Sequence, residues 1–442
     1  MQERARAVEE LRIAYPDHRD GKEVATSTYV RLARLQGNET FFPALRTLHL
    51  NSPDRRQNPP VLFHLPLFLS PTLTSVIISH LGEDAAGSLA CFLIENSPGP
   101  LASLDLHSVE LSPLLATSIS QCRSLETLDL IIGGPLDYSS LQAILSCPQL
   151  LTVKLNTKNA QYSGSQTVAI TTPGPRMGDI GQIHLESQIG VVEDVITMTA
   201  DRNMLGLAIT LRGSYDEETI QNLLRHIAAQ QASIMNLTID LASPLLIDAS
   251  FLSSLISADT FHELRTLEFR GLAFQQLGQH LPQMLTHWHH IQHLSFRTAA
   301  DATGYISLAI LKLVAQSCPN LSSLEALFDS PDTSFDAPGG ISNCLLSHKL
   351  LRLTLNEFEP NPNSYYYSDH EPISPETVQR VARYIYALFP DLDDIETRAC
   401  KRHDHDHWKP VADSYKLFQS FCRREFKELN DIRQRQLDGA GD

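Results

Sequence analysis

Leu125-Glu126-Thr127-Leu128-Asp129-Leu130 is the stretch whose reading decides the fold of this chain. Apolar residues occupy its first, fourth and sixth places, and the alternation over the last three is that of a short strand with one buried face. The same frame starts at Leu45, Leu73, Leu101, Leu125, Leu150, Ile180, Met204, Ile234, Leu264, Ile291, Leu321 and Leu350, at spacings of 24 to 30 residues. A period of that length means stacked supersecondary units, none of which can bury its apolar face without its neighbours.

Between the frames lie segments with helical spacing. Leu141, Ile144 and Leu145 precede Cys147-Pro148, and Leu308, Leu311, Lys312 and Ala315 precede Cys318-Pro319; a proline just past the last turn ends a helix. One unit is therefore a strand followed by a helix. Stacking such units predicts an α/β solenoid, a horseshoe with parallel strands on the concave face and helices on the convex face. Side chains alternate across a strand, so residues flanking the middle buried position face the concave side.

Cys147-Pro148-Gln149-Leu150, Cys318-Pro319-Asn320-Leu321 and Cys122-Arg123-Ser124-Leu125 resemble the repeat junctions of the leucine-rich-repeat family, in its ribonuclease-inhibitor-like branch. Phe41-Phe42-Pro43-Ala44-Leu45-Arg46-Thr47-Leu48 is similar to the first repeat of fungal F-box and leucine-rich-repeat proteins. The resemblance implies protein recognition, with substrate capture for ubiquitin ligation as the process. Two departures stand out. The common repeat carries an asparagine or cysteine three positions after its third apolar residue, whereas this chain has Pro53, Leu81, Val109, Gly133, Lys158 and Leu272 there; apolar stacking is expected to hold the turns instead. The F-box pattern is missing from residues 1–40, whose branched aliphatics are Val8, Leu11, Ile13, Val24, Val30, Leu32 and Leu35. Contact with a Skp1-type adaptor is therefore carried over to no residue, and a scaffold or inhibitor unconnected with ubiquitin is the alternative.

Residues 1–40 read as an N-terminal cap or lead-in, with a helix around Val8, Leu11 and Arg12. The solenoid spans 41–397, with irregular insertions near 156–178, read as a β-hairpin or loop, and near 357–373. Ser374-Pro375-Glu376 opens a helix with proline at its first position, and Leu392, Ile395 and Thr397 make a thirteenth, degenerate unit. Residues 398–442 read as a charged helical cap whose last stretch, from Gln434, is a disordered tail.

Acidic residues outnumber basic ones 51 to 35, giving a net charge of −16, and no basic stripe offsets that repulsion for a nucleic acid. No apolar run approaches the roughly 18 to 20 residues that cross a bilayer. Seven cysteines without framework spacing, together with a polar N-terminus, point to a reducing compartment, the cytoplasm or nucleus. Nucleophile motifs, phosphate loops and paired CxxC sequences are missing, so neither enzymatic activity nor a cofactor is expected. His403, His405 and His407 alternate with Asp404 and Asp406, but Cys400 alone does not complete a tetrahedral set. A solvated turn is the reading adopted, and no metal ligand is assigned. The expected protein-binding stripe comprises His49, Asp105, Asp129, Lys154, Asp240, Glu268, Arg270, His293, Arg297, Glu325 and Arg352, a mixed-charge surface suited to electrostatic selection of a partner. Tyr365, Tyr366 and Tyr367 are read as a contact loop beside it.

Overall fold

The computed structural model describes residues 7–14, 41–51, 68–79, 81, 83–164, 178–231, 233–257, 261–297, 306–329, 348–356, 373–398 and 408–438. The chain forms two compact units, one of Met1–Gly213 with Ala229–Ile234, the other of Ser214–Ala228 with Met235–Asp442. In the first, β1 (Glu10–Ala14), β2 (Thr47–Asn51), β3 (Ser75–Ser79), β4 (Ser103–Val109), β5 (Thr127–Ile132), β7 (Thr152–Asn156), β9 (Ile180–Ser187) and β10 (Met204–Leu211) lie side by side in that order, all parallel. Its helices are α1 (Glu83–Asn96), α2 (Pro113–Gln121), α3 (Tyr138–Leu145) and α4 (Ile189–Met198). Helix α5 (Glu217–Gln230) precedes the strands of the second unit. There β11 (Asn236–Asp248), β12 (Thr266–Gln275), β13 (His293–Arg297), β14 (Ser323–Leu327), β15 (Arg352–Asn356) and β16 (Asp394–Arg398) are again parallel and in chain order. Helices α6 (Ala249–Ser257), α7 (Leu277–His287), α8 (Ile310–Ser317), α9 (Pro375–Leu388) and α10 (Lys409–Asp438) complete it. Both units are thus α/β with parallel strands, as expected. Among the described residues, no helix is long and apolar enough to cross a membrane.

The frame explains the register. Its middle apolar residues pair across adjacent strands as Leu48, Val76, Leu104, Leu128, Val153, Ile183 and Leu207 in the first unit. In the second the column runs Leu237, Leu267, Leu294, Leu324, Leu353 and Ile395. The residue that opens each of the twelve frames is buried too. A one-residue slip would turn these columns to the opposite face, so burial pins the register.

Most repeats are also tied to the next at their entry. The carbonyl just after the frame's first residue accepts two consecutive N–H groups of the following repeat: Glu9 from Arg46 and Thr47, Arg46 from Thr74 and Ser75, Thr74 from Ala102 and Ser103. Arg265, Gln292 and Ser322 do the same in the second unit.

A third set of bonds, at the helix ends, adds to the apolar stacking expected to hold the turns. The last carbonyls of a helix have no intrahelical partner. Here, side chains two or three places before the next frame donate to them: Gln231 to Thr199 O at 3.0 Å, Cys318 to Leu285 O at 3.7 Å and His348 to Cys318 O at 2.7 Å. Arg202 does most. Its buried guanidinium donates to Leu145 O and Gly178 O at 2.7 Å each, to Leu150 O at 3.2 Å and to Cys147 O at 3.4 Å. At the far end Tyr415 of α10 donates to Phe389 O and Gln419 to Leu392 O, both at 2.8 Å, so the cap helix ends the ladder in the same manner.

Three expectations need correction. Glu10–Ala14 form a strand, not part of a helix; Val8, Leu11 and Ile13 are themselves a copy of the frame, and Leu11 pairs with Leu48. The 156–178 insertion contains no hairpin among its described residues: β8 (Gln161–Ser163) runs parallel to β6 (Pro135–Asp137), and Tyr162 donates to Asp194 of α4. Helix α10 continues past Gln434 to Asp438. By contrast, Ser374 caps α9 by accepting from Thr377 N, with Pro375 at the first turn, and β16 supplies a strand for the degenerate unit at Leu392, Ile395 and Thr397, as expected. Gly271 stands where the backbone leaves no room for a side chain. At a bulge between β11 and β12 it has φ +71, and a Cβ there would lie 2.4 Å from Leu241 O.

Arg202→Met keeps most of the side-chain volume but leaves several buried carbonyls without a donor. Equilibrium denaturation is expected to show a loss of about 2–5 kcal/mol. His348 provides a pH test. Its Nδ1 accepts from Leu350 N, so Nε2 carries the hydrogen given to Cys318 O, and burial pushes its pKa down. A folded pKa below the unfolded one means that acid favours the unfolded chain, so stability is lost as pH falls below about 6.5. His348→Gln is expected to shrink the Tm difference between pH 7.5 and 5.5 relative to the parent chain.

Candidate protein-binding face

Strand alternation puts the second, fourth and sixth residues after each frame start on the face opposite the apolar ribs. In the first unit the fourth-place column reads His49, Ile77, Asp105, Asp129, Lys154 and His184 across adjacent strands. His49 Nε2 is 3.3 Å from Glu10 of β1, and Lys154 Nζ is 3.5 Å from Asp129 Oδ2. His107, two places beyond Asp105, brings its Nε2 to 2.8 Å from Asp105 Oδ1. Contact with that carboxylate raises the His107 pKa against the opposing effect of burial, with the charges of Asp105 and Asp129 adding. For His184 burial is the larger influence and lowers the pKa, helped by the charge of Lys154. Further along, Glu186 accepts from Asn156 at 2.6 Å and pairs with Arg212 at 2.6 Å.

In the second unit five candidate residues form one chain of alternating charge. Asp240 lies 4.0 Å from Arg270, Arg270 Nε is 2.9 Å from Glu268, Glu268 is 3.7 Å from Arg297, and Arg297 Nε is 2.6 Å from Glu325. Ser295 also donates to Glu325, at 2.9 Å. The two signs sit at different depths. Glu325 and Glu268 are 3% and 12% exposed, whereas Arg270 is 43% exposed, and Arg352, 3.6 Å from Glu396, is 63% exposed. Carboxylates therefore form the floor, and arginine heads are presented above it. His293 is part of the same face, its pKa lowered chiefly by burial.

All eleven candidates thus lie on outward strand positions, but they divide by role. Glu268 and Glu325 hold arginines in place; Lys154, Arg270 and Arg352 offer charge to solvent. Tyr365, Tyr366 and Tyr367, like His403, His405 and His407, lie outside the described residues. Glu10, His107, His184, Glu186 and Ser295 were missed, although counting two, four or six places from Val8, Leu101, Ile180 or Ile291 finds each of them. No family model matches this chain, and no curated protein does either.

Arg297 pairs with a nearly buried carboxylate, Glu325, whereas Arg352 pairs with the more exposed Glu396. Arg297→Met is expected to cost about 2–3 kcal/mol in chemical denaturation, reduced from the fully buried case because Arg297 is partly exposed. Arg352→Met is expected to change stability by less than about 0.5 kcal/mol.

Proposed function

We propose that this chain is a leucine-rich-repeat solenoid of the ribonuclease-inhibitor-like type whose strand face recognises a protein partner, in the manner of F-box and leucine-rich-repeat substrate receptors. The observation that carries the reading is the in-register stacking of one outward column per frame position, with exposed cationic heads over buried carboxylates. Such a surface selects by charge pattern; lysine and arginine ends half out in solvent steer an encounter and reject like-charged partners. Nucleic acid is disfavoured as the occupant by the net charge of −16.

A second reading, a scaffold or inhibitor with no ubiquitin connection, is favoured by one specific observation. Leu11 and Ile13, two of the few branched aliphatics in residues 1–40, belong to β1 and not to a helix that could form part of an adaptor-binding module.

Affinity purification of the tagged full chain, followed by mass spectrometry, tests both. A stable partner recovered by the parent chain and reduced at least tenfold by Arg352→Glu, with Tm unchanged within a few degrees, is the expected result. Co-recovery of a Skp1-type adaptor with a cullin favours the receptor reading; a stable partner without them favours the scaffold. Recovery of no partner, or of one indifferent to Arg352→Glu and to Lys154→Glu, contradicts recognition by this face.

A further inference from the structure

Asp105 and His107 stand on β4 and Asp129 pairs with Asp105 from β5. One donor atom from each lies within 4.8 Å of the other two. Two carboxylate oxygens and one imidazole nitrogen form a donor set that suits zinc, which is bound by nitrogen and oxygen ligands at about 2.0–2.2 Å.

Two observations separate this cluster from an ordinary patch of acidic residues. Asp105 Oδ1 is closed off from solvent and makes no well-aligned hydrogen bond, even though His107 Nε2 is only 2.8 Å away. A buried carboxylate oxygen without an aligned donor is costly, and a cation bound by it and by the imidazole nitrogen would satisfy both once the two atoms part from 2.8 Å to the roughly 3.3–3.5 Å that tetrahedral ligands keep. Strand alternation also brings the imidazole there, because His107 stands two places beyond Asp105 on β4 and pairs in register with Ile131; Ser108, at φ 59, takes up the register shift that follows. The neighbouring cation leaves room: Lys154 Nζ approaches Asp129 Oδ2 at 3.5 Å from a side chain that is 51% exposed, so it can swing into solvent.

We propose that Asp105, His107 and Asp129 bind one Zn2+ ion, with solvent completing the coordination. On binding, the imidazole coordinates through its unprotonated Nε2, and any proton held there passes to solvent. This inference does not depend on the protein-recognition reading.

Isothermal titration of the metal-free full chain with Zn2+ at pH 7.5 tests it. One saturable site per chain is expected, weakened at least tenfold in both His107→Gln and Asp129→Asn and retained when His403, His405 and His407 are all replaced by alanine. Thermal unfolding without metal checks that each variant is folded, and Zn2+ is expected to raise the Tm of the parent chain but of neither site variant. Absence of a stoichiometric site overturns the proposal. So does a site that survives His107→Gln and Asp129→Asn, or one that disappears with His403, His405 and His407.

Discussion

Each strand in this protein buries an apolar rib that the repeats on either side help to cover, and in the second unit the opposite face is partly buried as well, at Glu268, Ser295 and Glu325. That requirement for neighbours organises the rest. Leu48, Val76, Leu104 and Leu128 stack in register because any slip would expose the whole column to water. The same stacking brings each helix end against the following turn, where carbonyls lacking an intrahelical partner must find donors. Arg202, Gln231, Cys318 and His348 supply them. Hydrophobic columns and lateral donors thus do complementary work: the first fix position along the strand, the second close the helical ends.

The outward face follows from the same geometry. Once the ribs are buried, alternation forces the intervening residues into parallel columns, and residues distant in sequence become neighbours. Glu268 and Glu325, 57 positions apart in the numbering, share a column with Ser295 between them. Their depth matters more than their number. A carboxylate sunk in the sheet organises an arginine and contributes little of its own charge to an incoming surface, so the exposed face of the second unit is more cationic than a count of its residues suggests.

Much of the architecture was legible because the frame is strict: all twelve opening residues, from Leu45 to Leu350, are buried. What escaped did so for physical reasons. The frame at Val8, Leu11 and Ile13 stands 37 positions before Leu45, outside the 24-to-30 spacing, so its period was hidden and its short apolar spacing suggested a helix. The lateral donors are an arginine, a glutamine, cysteines and a histidine; no single residue type marks them, and only the position of the helix end gives them their role. His107 was overlooked because it stands one place beyond Leu106, the last apolar residue of its frame, on a strand that continues to Val109. Gln434–Asp438 read as the start of a disordered tail because they lie near the terminus, yet they continue α10 with residues of good intrinsic propensity.

The dependence of every repeat on its neighbours is tested most directly by peptide-resolved hydrogen–deuterium exchange on the full chain. Protection is expected to recur with the frame, strongest over segments such as Thr47–Asn51, Thr127–Ile132, Thr266–Gln275 and Arg352–Asn356, and Arg202→Met should lower it across β7 and β9 together. Protection without that recurrence, or a loss in Arg202→Met confined to its own turn, would contradict the central claim.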